Sequence, residues 1–206
     1  MIRNIVFDIG QVLVDFNWES YTEGLGFNDE VADRLKKATV ANVVWKEQDR
    51  GSYSMEELIE LHAARDPGIT DEIRIFFERI EGIVSERAYA VQLVRYLKEQ
   101  GYKVYILSNY GKYAFETAEK NFQFLKYTDG GIISYQVHSI KPEEKIYKCL
   151  IEKYNIVPAE TVFIDDLEEN IAEGIKQGFQ GIHFKAIEQV LGNLSMLGVD
   201  MEDLHL

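Results

Sequence analysis

Short apolar runs alternate with amphipathic stretches along most of the chain. The runs are rich in Val, Ile, Phe and Tyr and have the length of buried strands. They occupy residues 2–8, 102–107, 131–134, 161–164 and 180–184. The stretches between them carry apolar residues at helical spacing, and several end at a glycine, as helices often do. Strands that alternate with helices predict βαβ units and a parallel sheet.

The amphipathic stretches predict five helices that accompany these strands. They cover residues 86–99, 111–121, 142–154, 168–177 and 186–197. In the third of these, Pro142 is expected in the first turn, where the missing N–H of proline costs nothing.

Residues 17–84 interrupt this alternation with a segment that is nearly all helical in pattern. Ser54 with Glu57 forms a plausible capping box, which marks one helix start. We therefore predict an α/β fold with a Rossmann-like parallel sheet core, made of residues 1–16 and 85–206. An all-helical insertion over residues 17–84 would form a second unit.

Composition and charge narrow the class of protein. The chain has 206 residues, of which 46% are hydrophobic, and its net charge is −13. That charge argues against nucleic acid or an anionic membrane as the main partner. No apolar stretch approaches the roughly 20 residues of a membrane span, and the N-terminus lacks a signal-peptide layout. Cys149 is the one cysteine, which favours a reducing, cytoplasmic setting. We expect the protein to act as a monomer or homodimer.

Charged and polar residues follow three of the predicted strands. Asp8 ends the first, Ser108 follows the strand 102–107, and Asp165-Asp166 closes the strand 161–164. Carboxyl ends of strands are where open α/β sheets place ligand sites. Two adjacent carboxylates repel each other, and a hard cation with oxygen ligands such as Mg²⁺ relieves that repulsion. A divalent-cation and phosphate site is therefore predicted, with Lys141 as a compact cation for the phosphate.

Each of these residues also has a simpler structural interpretation. Asp8 could end a strand at a turn, and Ser108 with Asn109 could cap the next helix. Lys141 before a proline is usually a surface residue. Gly10 lets the backbone turn sharply and approach a ligand closely.

The order Asp, Ser, Lys, Asp-Asp resembles the haloacid dehalogenase (HAD) superfamily over essentially the whole chain. The four motifs are Ile5-Val6-Phe7-Asp8-Ile9-Gly10-Gln11-Val12-Leu13, Leu107-Ser108-Asn109, Lys141-Pro142, and Phe163-Ile164-Asp165-Asp166 with Asn170. Singly these motifs are weak, but together and in order they are specific. The insertion after the first motif resembles the helical cap of the C1 type.

The resemblance implies a phosphatase in which Asp8 is a nucleophile that forms an aspartyl-phosphate. Ser108 and the backbone of Asn109 would hold the phosphoryl group, and Lys141 would neutralise charge between that group and Asp8. It also implies an Mg²⁺ site made of four groups: Asp8, the backbone carbonyl of Gly10, Asp165 and Asp166. Positioning and electrostatic stabilisation then supply the catalysis.

One position departs from the phosphatase pattern. The usual second Asp, a general acid/base two residues after the nucleophile, is replaced by Gly10. Metal-independent dehalogenase chemistry would explain this, although the Asp165-Asp166 pair argues against it. A leaving group that needs little protonation, such as an anomeric sugar phosphate, is a second explanation, and the sequence Asp-x-Gly-Gln-Val resembles a glucose-1-phosphate-type subgroup. A non-catalytic relative is the third. Asp15, further along the loop, could substitute for the missing acid, but its spacing from Asp8 is wrong for the usual geometry.

Two residues of the cap are candidates for substrate recognition. Arg50 could bind a distal phosphate or a sugar hydroxyl, and Trp45 could stack on a sugar face. The alternatives are a helix C-terminus with Gly51 at C′ for Arg50 and a place in the cap core for Trp45.

The leading hypothesis is an Mg²⁺-dependent phosphatase for a small phosphorylated metabolite, with an anomeric sugar phosphate favoured. The alternatives are a phosphometabolite-binding module without turnover, a metal-independent haloacid dehalogenase, and a phosphomutase-like phosphotransferase. The last is disfavoured because a mutase needs the acid/base Asp in both half-reactions.

Overall fold

Five parallel strands form the central sheet in the computed structural model, which describes residues 1–204. The strands of the chain are β1 (Asn4–Phe7), β2 (Val14–Phe16), β3 (Val84–Glu86), β4 (Lys103–Ser108), β5 (Gly130–Ile133), β6 (Thr161–Asp165) and β7 (Gln180–His183). The order across the sheet is β5-β4-β1-β6-β7. The five predicted strands are all present, and the predicted α/β fold with a parallel core is confirmed.

Eleven α-helices accompany these strands within the described residues. They are α1 (Trp18–Gly24), α2 (Asp29–Ala38), α3 (Val43–Gln48), α4 (Met55–Ala63), α5 (Thr70–Glu78), α6 (Ala90–Glu99), α7 (Lys112–Ala118), α8 (Ser134–Val137), α9 (Glu144–Tyr154), α10 (Glu168–Lys176) and α11 (Ile187–Met196). Short 3₁₀ helices cover Pro67–Ile69, Ile80–Ile83, Glu119–Asn121, Gln123–Tyr127 and Pro158–Glu160.

Both faces of the sheet are buried, which explains why its central strands are continuous apolar runs. Successive side chains of a strand point to opposite faces. Ile5 and Phe7 pack on one face with α6 and α11, whereas Val6 packs on the other with α9 and α10. A strand buried on both faces shows no alternation of polar and apolar residues. Helices packed on both faces therefore hold the carboxyl ends of the central strands, where the predicted site residues lie.

The helices between β2 and β3 have a hydrophobic core of their own, centred on Phe76. The rings of Trp18, Tyr21, Trp45 and Phe77 lie 5.1–6.1 Å from the Phe76 ring, centroid to centroid. The Tyr21 hydroxyl also donates a hydrogen bond to the carbonyl of Phe76 (2.9 Å). This cluster makes the segment between β2 and β3, which we propose is the cap, a packed unit and not a loop.

The cap is joined to the core by a two-stranded antiparallel ribbon that the sequence did not predict. β2 pairs with β3, with Asp15 opposite Ser85. Each strand has three residues, too few for a hydrophobic period to stand out. The ribbon supports our proposal that residues 17–84 form the cap and residues 1–16 with 85–206 the core. Residues 205 and 206 lie outside the described residues.

Several predicted helix boundaries were wrong. The helix predicted from residue 86 begins at Ala90, because residues 84–86 belong to the ribbon. The helix predicted from Pro142 begins at Glu144, because Glu143 before it has an extended backbone (φ −69°, ψ 133°). The capping box of Ser54 and Glu57 is present as predicted.

We expect Gly51→Ala to lower the free energy of unfolding more than Gly26→Ala does. Both glycines have a positive φ, +69° and +81°, so either substitution costs about 1–2 kcal/mol of backbone strain. A Cβ on Gly51 would also lie 2.8 Å from Cβ of Tyr135 in α8, whereas a Cβ on Gly26 would meet nothing within 4 Å. Urea denaturation measures both variants, and equal losses would contradict the close approach of cap and core at Gly51.

Candidate active site

Three predicted site residues lie side by side at the carboxyl edge of the sheet. β1 lies between β4 and β6, and its last residue, Phe7, is in register with Ile106 and Ile164. Asp8 continues this register, since its N–H donates to the carbonyl of Ile164 (2.9 Å). The register therefore places Asp8 level with Asp165 on one side and with Leu107 on the other, and Ser108 is the next residue of β4.

Lys141 joins two of these carboxylates. Its side chain is buried, with 3% of the residue exposed. The Nζ atom lies 2.9 Å from Oδ1 of Asp8 and 2.6 Å from Oδ2 of Asp165. It also donates to the carbonyl of Leu107 at the end of β4 (2.9 Å). The contacts with Asp165 and Leu107 are hydrogen bonds, and the contact with Asp8 is an ion pair.

The loop that carries Lys141 is fixed by the side chain of Asn109. The Asn109 amide donates to the carbonyl of Lys141 (3.0 Å) and accepts from its N–H (2.7 Å). Sequence reasoning gave Asn109 a backbone role toward phosphate and missed this pair of contacts. These two hydrogen bonds hold the backbone of Lys141 beside the end of β4 and so fix where its side chain enters the site.

Asp8, Asp165 and Asp166 form a cluster suited to a divalent cation. One carboxylate oxygen from each lies within 4.8 Å of those of the other two. Asp165 is fully buried and accepts from the N–H of Leu167 (2.8 Å) and the amide of Asn170 (2.9 Å). Asp166 is half-buried. An all-oxygen donor set of this kind fits Mg²⁺, and the engaged Asp165 is better placed to orient the cluster than to be its main ligand.

Burial and neighbouring charge shift the pKa values of this cluster. Burial raises the pKa of Asp8 to about 6; Lys141 opposes the shift and Asp165 adds to it. Burial lowers the pKa of Lys141, but the charges of Asp165 and Asp8 outweigh it, so the net pKa is raised. Burial and Asp165 raise the pKa of Asp166. Lys141 therefore stays a cation at neutral pH.

The Ser108 hydroxyl is a buried polar atom without a hydrogen bond of good geometry among the described residues. It lies close enough to Asp8 to lower the pKa of that carboxyl. A buried polar atom left unpaired costs about 1–3 kcal/mol, and a phosphoryl oxygen beside Asp8 would satisfy it. The position of Ser108 thus fits its predicted role in binding phosphate.

Gly10 leaves open space at the site. A Cβ built on it would meet nothing within 4 Å. Asp15, the nearest later carboxylate in the same loop, lies in β2 and accepts from the guanidinium of Arg87 (2.9 Å). Asp15 is therefore committed to the ribbon and does not replace a side chain at Gly10.

A cavity of about 190 Å³ lies between the core and the cap beside Gly10. Its wall is mainly apolar, from the ribbon and the 3₁₀ helix Ile80–Ile83, and Trp45 contributes a ring to it. Trp45 also packs on Phe76, with 6.1 Å between the ring centroids. Trp45 therefore lies in the cap core and in the cavity wall, and its stacking on a sugar face stays a prediction.

Arg50 does not line this cavity in the structure. Its guanidinium pairs with both carboxylate oxygens of Glu143 and with Glu47 (3.0 Å). The pairing lowers the pKa of Glu143 to about 2, through the Arg50 hydrogen bonds first. In the structure Arg50 makes an ion pair between cap and core, a contact between distant parts of the chain that local sequence could not show. Its contact with substrate stays a prediction.

Sequence reasoning missed Asp49, which lines the cavity beside Gly10. Its carboxylate lies beside the backbone of Gly111, with Oδ1 3.6 Å from where a Gly111 Cβ would be. Burial and the charge of Asp8 raise the pKa of Asp49 to about 8, against smaller opposing effects of the Gly111 N–H and Lys141. The only available signal was its position in the cap stretch next to Arg50.

We expect Lys141→Met to lower the free energy of unfolding by about 3–5 kcal/mol in the absence of Mg²⁺, since it leaves Asp8 and Asp165 buried without a cation. The control is Lys148→Met, which breaks an exposed pair with Glu144 and should change stability little. Urea denaturation at neutral pH compares them. A Lys141→Met protein as stable as the wild type would show that Lys141 does not hold the site together.

No helix in the part of the chain that the structure describes is long and apolar enough to span a membrane.

Several known proteins are similar to this chain. D-ribitol-5-phosphate phosphatase of Bacteroides thetaiotaomicron is 27% identical over 195 residues, which cover 87% of this chain and 90% of that protein. A HAD-like family hydrolase from Porphyromonas gingivalis superposes with a TM-score of 0.74 at 24% identity, over 97% of this chain and 99% of the other, and shows the shared fold. A HAD family enzyme of Bacteroides thetaiotaomicron, solved with magnesium and inorganic phosphate, has a TM-score of 0.69 at 25% identity, over 90% and 96% of the two chains.

Residues 2–178 match the family described as haloacid dehalogenase-like hydrolase. That range includes all four motifs and the whole cap. The predicted resemblance and enzyme class are confirmed: this chain belongs to the haloacid dehalogenase-like hydrolases.

Proposed function

We propose that this hydrolase is an Mg²⁺-dependent phosphatase that releases phosphate from a small phosphorylated metabolite through an aspartyl-phosphate at Asp8. The observation that carries the proposal is the buried carboxylate of Asp8 beside the unpaired hydroxyl of Ser108. A buried carboxylate with one oxygen fixed and a donor nearby is suited to nucleophilic attack on a phosphoryl group.

The contacts of Asp8 divide its two oxygens. Oδ1 accepts from the N–H of Ile9 (2.7 Å) and contacts Lys141 (2.9 Å). We assign Oδ2 to the attack on phosphorus. In the first step the Oδ2–P bond forms, the bond from phosphorus to the ester oxygen breaks, and that oxygen takes a proton from an acid on the cavity side and leaves as the alcohol. In the second step the oxygen of a water attacks phosphorus, the water gives a proton to the conjugate base of that acid, and the Oδ2–P bond breaks, which releases phosphate and free Asp8.

Lys141 and Ser108 have different tasks in this scheme. Lys141 pairs with Asp8 and Asp165 and donates to the Leu107 carbonyl, so we assign to it the offsetting of charge on the nucleophile. The Ser108 hydroxyl and the Asn109 backbone bind phosphoryl oxygens in our proposal, in part because strand ends in open α/β sheets offer N–H donors.

We assign Mg²⁺ to Asp8, the Gly10 carbonyl and Asp166, with Asp165 orienting the cluster. Once bound, Mg²⁺ neutralises part of the phosphoryl charge and so favours attack by a carboxylate. The carboxylate cluster supports this assignment, as does the magnesium and phosphate complex of the Bacteroides thetaiotaomicron enzyme.

A sugar or polyol phosphate is the substrate class that we propose, with an anomeric sugar phosphate as the first choice. The similar phosphatase named for D-ribitol-5-phosphate supports a polyol or sugar chain. The ring of Trp45 and the apolar cavity wall offer a surface on which a sugar face could pack. The net charge of −13 favours a small molecule over nucleic acid as the partner.

Phosphate release from a panel of metabolites, with and without Mg²⁺, tests the proposal. The panel pairs anomeric with terminal phosphates of the same sugar and includes a polyol phosphate. We expect Mg²⁺-dependent release. If inorganic phosphate and Mg²⁺ bind but no substrate is turned over, the chain is a binding module; turnover of a 2-haloacid without metal would indicate a dehalogenase.

We expect Asp8→Asn to abolish turnover and to leave the fold intact, because the amide is too weak a nucleophile to attack phosphorus. Asp15→Asn is the matched control, since Asp15 lies in the same loop but pairs with Arg87. Steady-state phosphate release and circular dichroism measure both variants. Turnover by Asp8→Asn would refute the nucleophile assignment.

Asp166→Asn should weaken Mg²⁺ binding about tenfold or more, because it removes one charged ligand of the cluster. Glu168→Gln is the control, an exposed carboxylate at the start of α10. Gly10→Asp should keep Mg²⁺ affinity, since the expected ligand there is a backbone carbonyl. Calorimetric titration measures all three, and unchanged affinity in Asp166→Asn would rule out Asp166 as a ligand.

A further inference from the structure

The ester oxygen of the substrate needs a proton as it leaves, and few groups near Asp8 can supply one. Among the described residues that line the cavity, Asp49 and Tyr110 have titratable side chains. The Tyr110 ring packs edge-on against Phe115 and Phe122 (5.5 and 6.5 Å between centroids), and burial raises the pKa of its phenol. Lys141 does not line the cavity, and its ammonium pairs with Asp8 and Asp165. Asp49 is the remaining candidate.

Asp49 faces the open side of the nucleophile loop. It and Gly10 line the same cavity, and the space that a Cβ of Gly10 would enter is free to 4 Å. The Asp49 Oδ1 lies 3.6 Å from where a Gly111 Cβ would be, so the carboxylate lies beside the residue that precedes α7. A carboxyl group from the cap thus lies across an empty space from the core loop that holds Asp8.

The core holds the backbone around Asp49 in place. The Ser134 hydroxyl donates to the carbonyl of Asp49 (2.6 Å) and accepts from the N–H of Tyr110 (2.9 Å). The next residue, Arg50, is fixed by Glu143, while its carbonyl contacts Nδ1 of His138 (2.8 Å). These contacts fix the position of the Asp49 backbone relative to the core, although Asp49 belongs to the cap.

The charges that face Asp49 favour its protonated form. Asp8 raises its pKa across the cavity and burial raises it further, to about 8; the Gly111 N–H and Lys141 act in the opposite direction. Tyr110 faces it as a neutral phenol, and the Arg50 guanidinium is turned away to Glu143. A carboxyl group that keeps its proton near neutral pH is suited to donate it.

We propose that Asp49 is the general acid and base of this enzyme, delivered to the leaving oxygen by the cap. The proposal rests on the phosphatase function proposed above. In the first step the Asp49 proton passes to the ester oxygen as the bond from phosphorus to that oxygen breaks. In the second, the Asp49 carboxylate takes a proton from the water whose oxygen attacks phosphorus, which restores protonated Asp49, releases phosphate and frees Asp8.

Asp49→Asn tests the proposal through the leaving group. An alkyl phosphate needs the proton, whereas p-nitrophenyl phosphate releases a stable anion without it. We expect turnover of alkyl phosphates to fall about 10²–10⁴-fold. With p-nitrophenyl phosphate we expect a stoichiometric burst of nitrophenol at nearly the wild-type rate, followed by slow turnover, because the second step still lacks its base.

Two further variants separate chemistry from structure. Glu47→Gln removes a carboxylate two residues away that pairs with Arg50, and should keep turnover of both substrates. Gly10→Asp in the Asp49→Asn background places a carboxyl group in the free space from the core side, and should restore part of the alkyl phosphatase activity.

The outcomes distinguish this proposal from the one on which it rests. An equal loss on both substrates without a burst, together with weakened phosphate binding, would make Asp49 a structural residue and overturn the proposal. A burst in Asp49→Asn that is absent from Asp8→Asn supports both. A wild-type protein that releases phosphate from nothing overturns both.

Discussion

The buried contact of Lys141 with Asp8 and Asp165 is the interaction on which the site depends. Two carboxylates at neighbouring strand ends would repel each other in a region of low dielectric, and a lone buried ammonium would be equally unfavourable. Together they are held at 2.9 and 2.6 Å. The contact requires β1, β4, β6 and the loop before α9 to be in place at once, since a shift of any one leaves a buried charge unpaired.

The same contact divides the chemistry between the two parts of the molecule. The core supplies the nucleophile, its counter-charge and the carboxylates for a cation. Among the described residues of the core, no carboxyl group lines the cavity, since Gly10 has no side chain and Asp15 is paired with Arg87. With Asp49 as the acid, the donor comes from the cap, and the reaction is complete only when the cap lies on the core. Protonation of the leaving group then becomes coupled to the exclusion of water by closure.

The core of the fold and of the site could be predicted from sequence because its signals are local. β1 and β6 are apolar runs buried on both faces, and Asp8 and Asp165-Asp166 directly follow them, so strand and ligand edge are predicted together. Ser108 and Lys141 were predictable from motif order. The ribbon was not, since strands of three residues carry no period.

The cap contribution to the site could not be predicted because it depends on long-range docking. Asp49 and Arg50 belong to one charged stretch in which nothing local tells which side chain faces the core. Arg50 is fixed by Glu143, 93 residues away, and Ser134 holds Asp49 from 85 residues away. Arg50 was therefore predicted to contact substrate and Asp49 was overlooked.

The most direct test of Asp8 as the nucleophile is to trap the phosphoenzyme. Wild-type protein with Mg²⁺ and a turned-over substrate is quenched in acid during turnover, digested, and analysed by mass spectrometry. We expect a phosphoryl group on the peptide that contains Asp8. With p-nitrophenyl phosphate, whose first step needs no proton, we expect higher occupancy in Asp49→Asn, where the second step is slowed. Phosphate release without any phosphoryl group on that peptide, in either protein, would contradict an aspartyl-phosphate at Asp8.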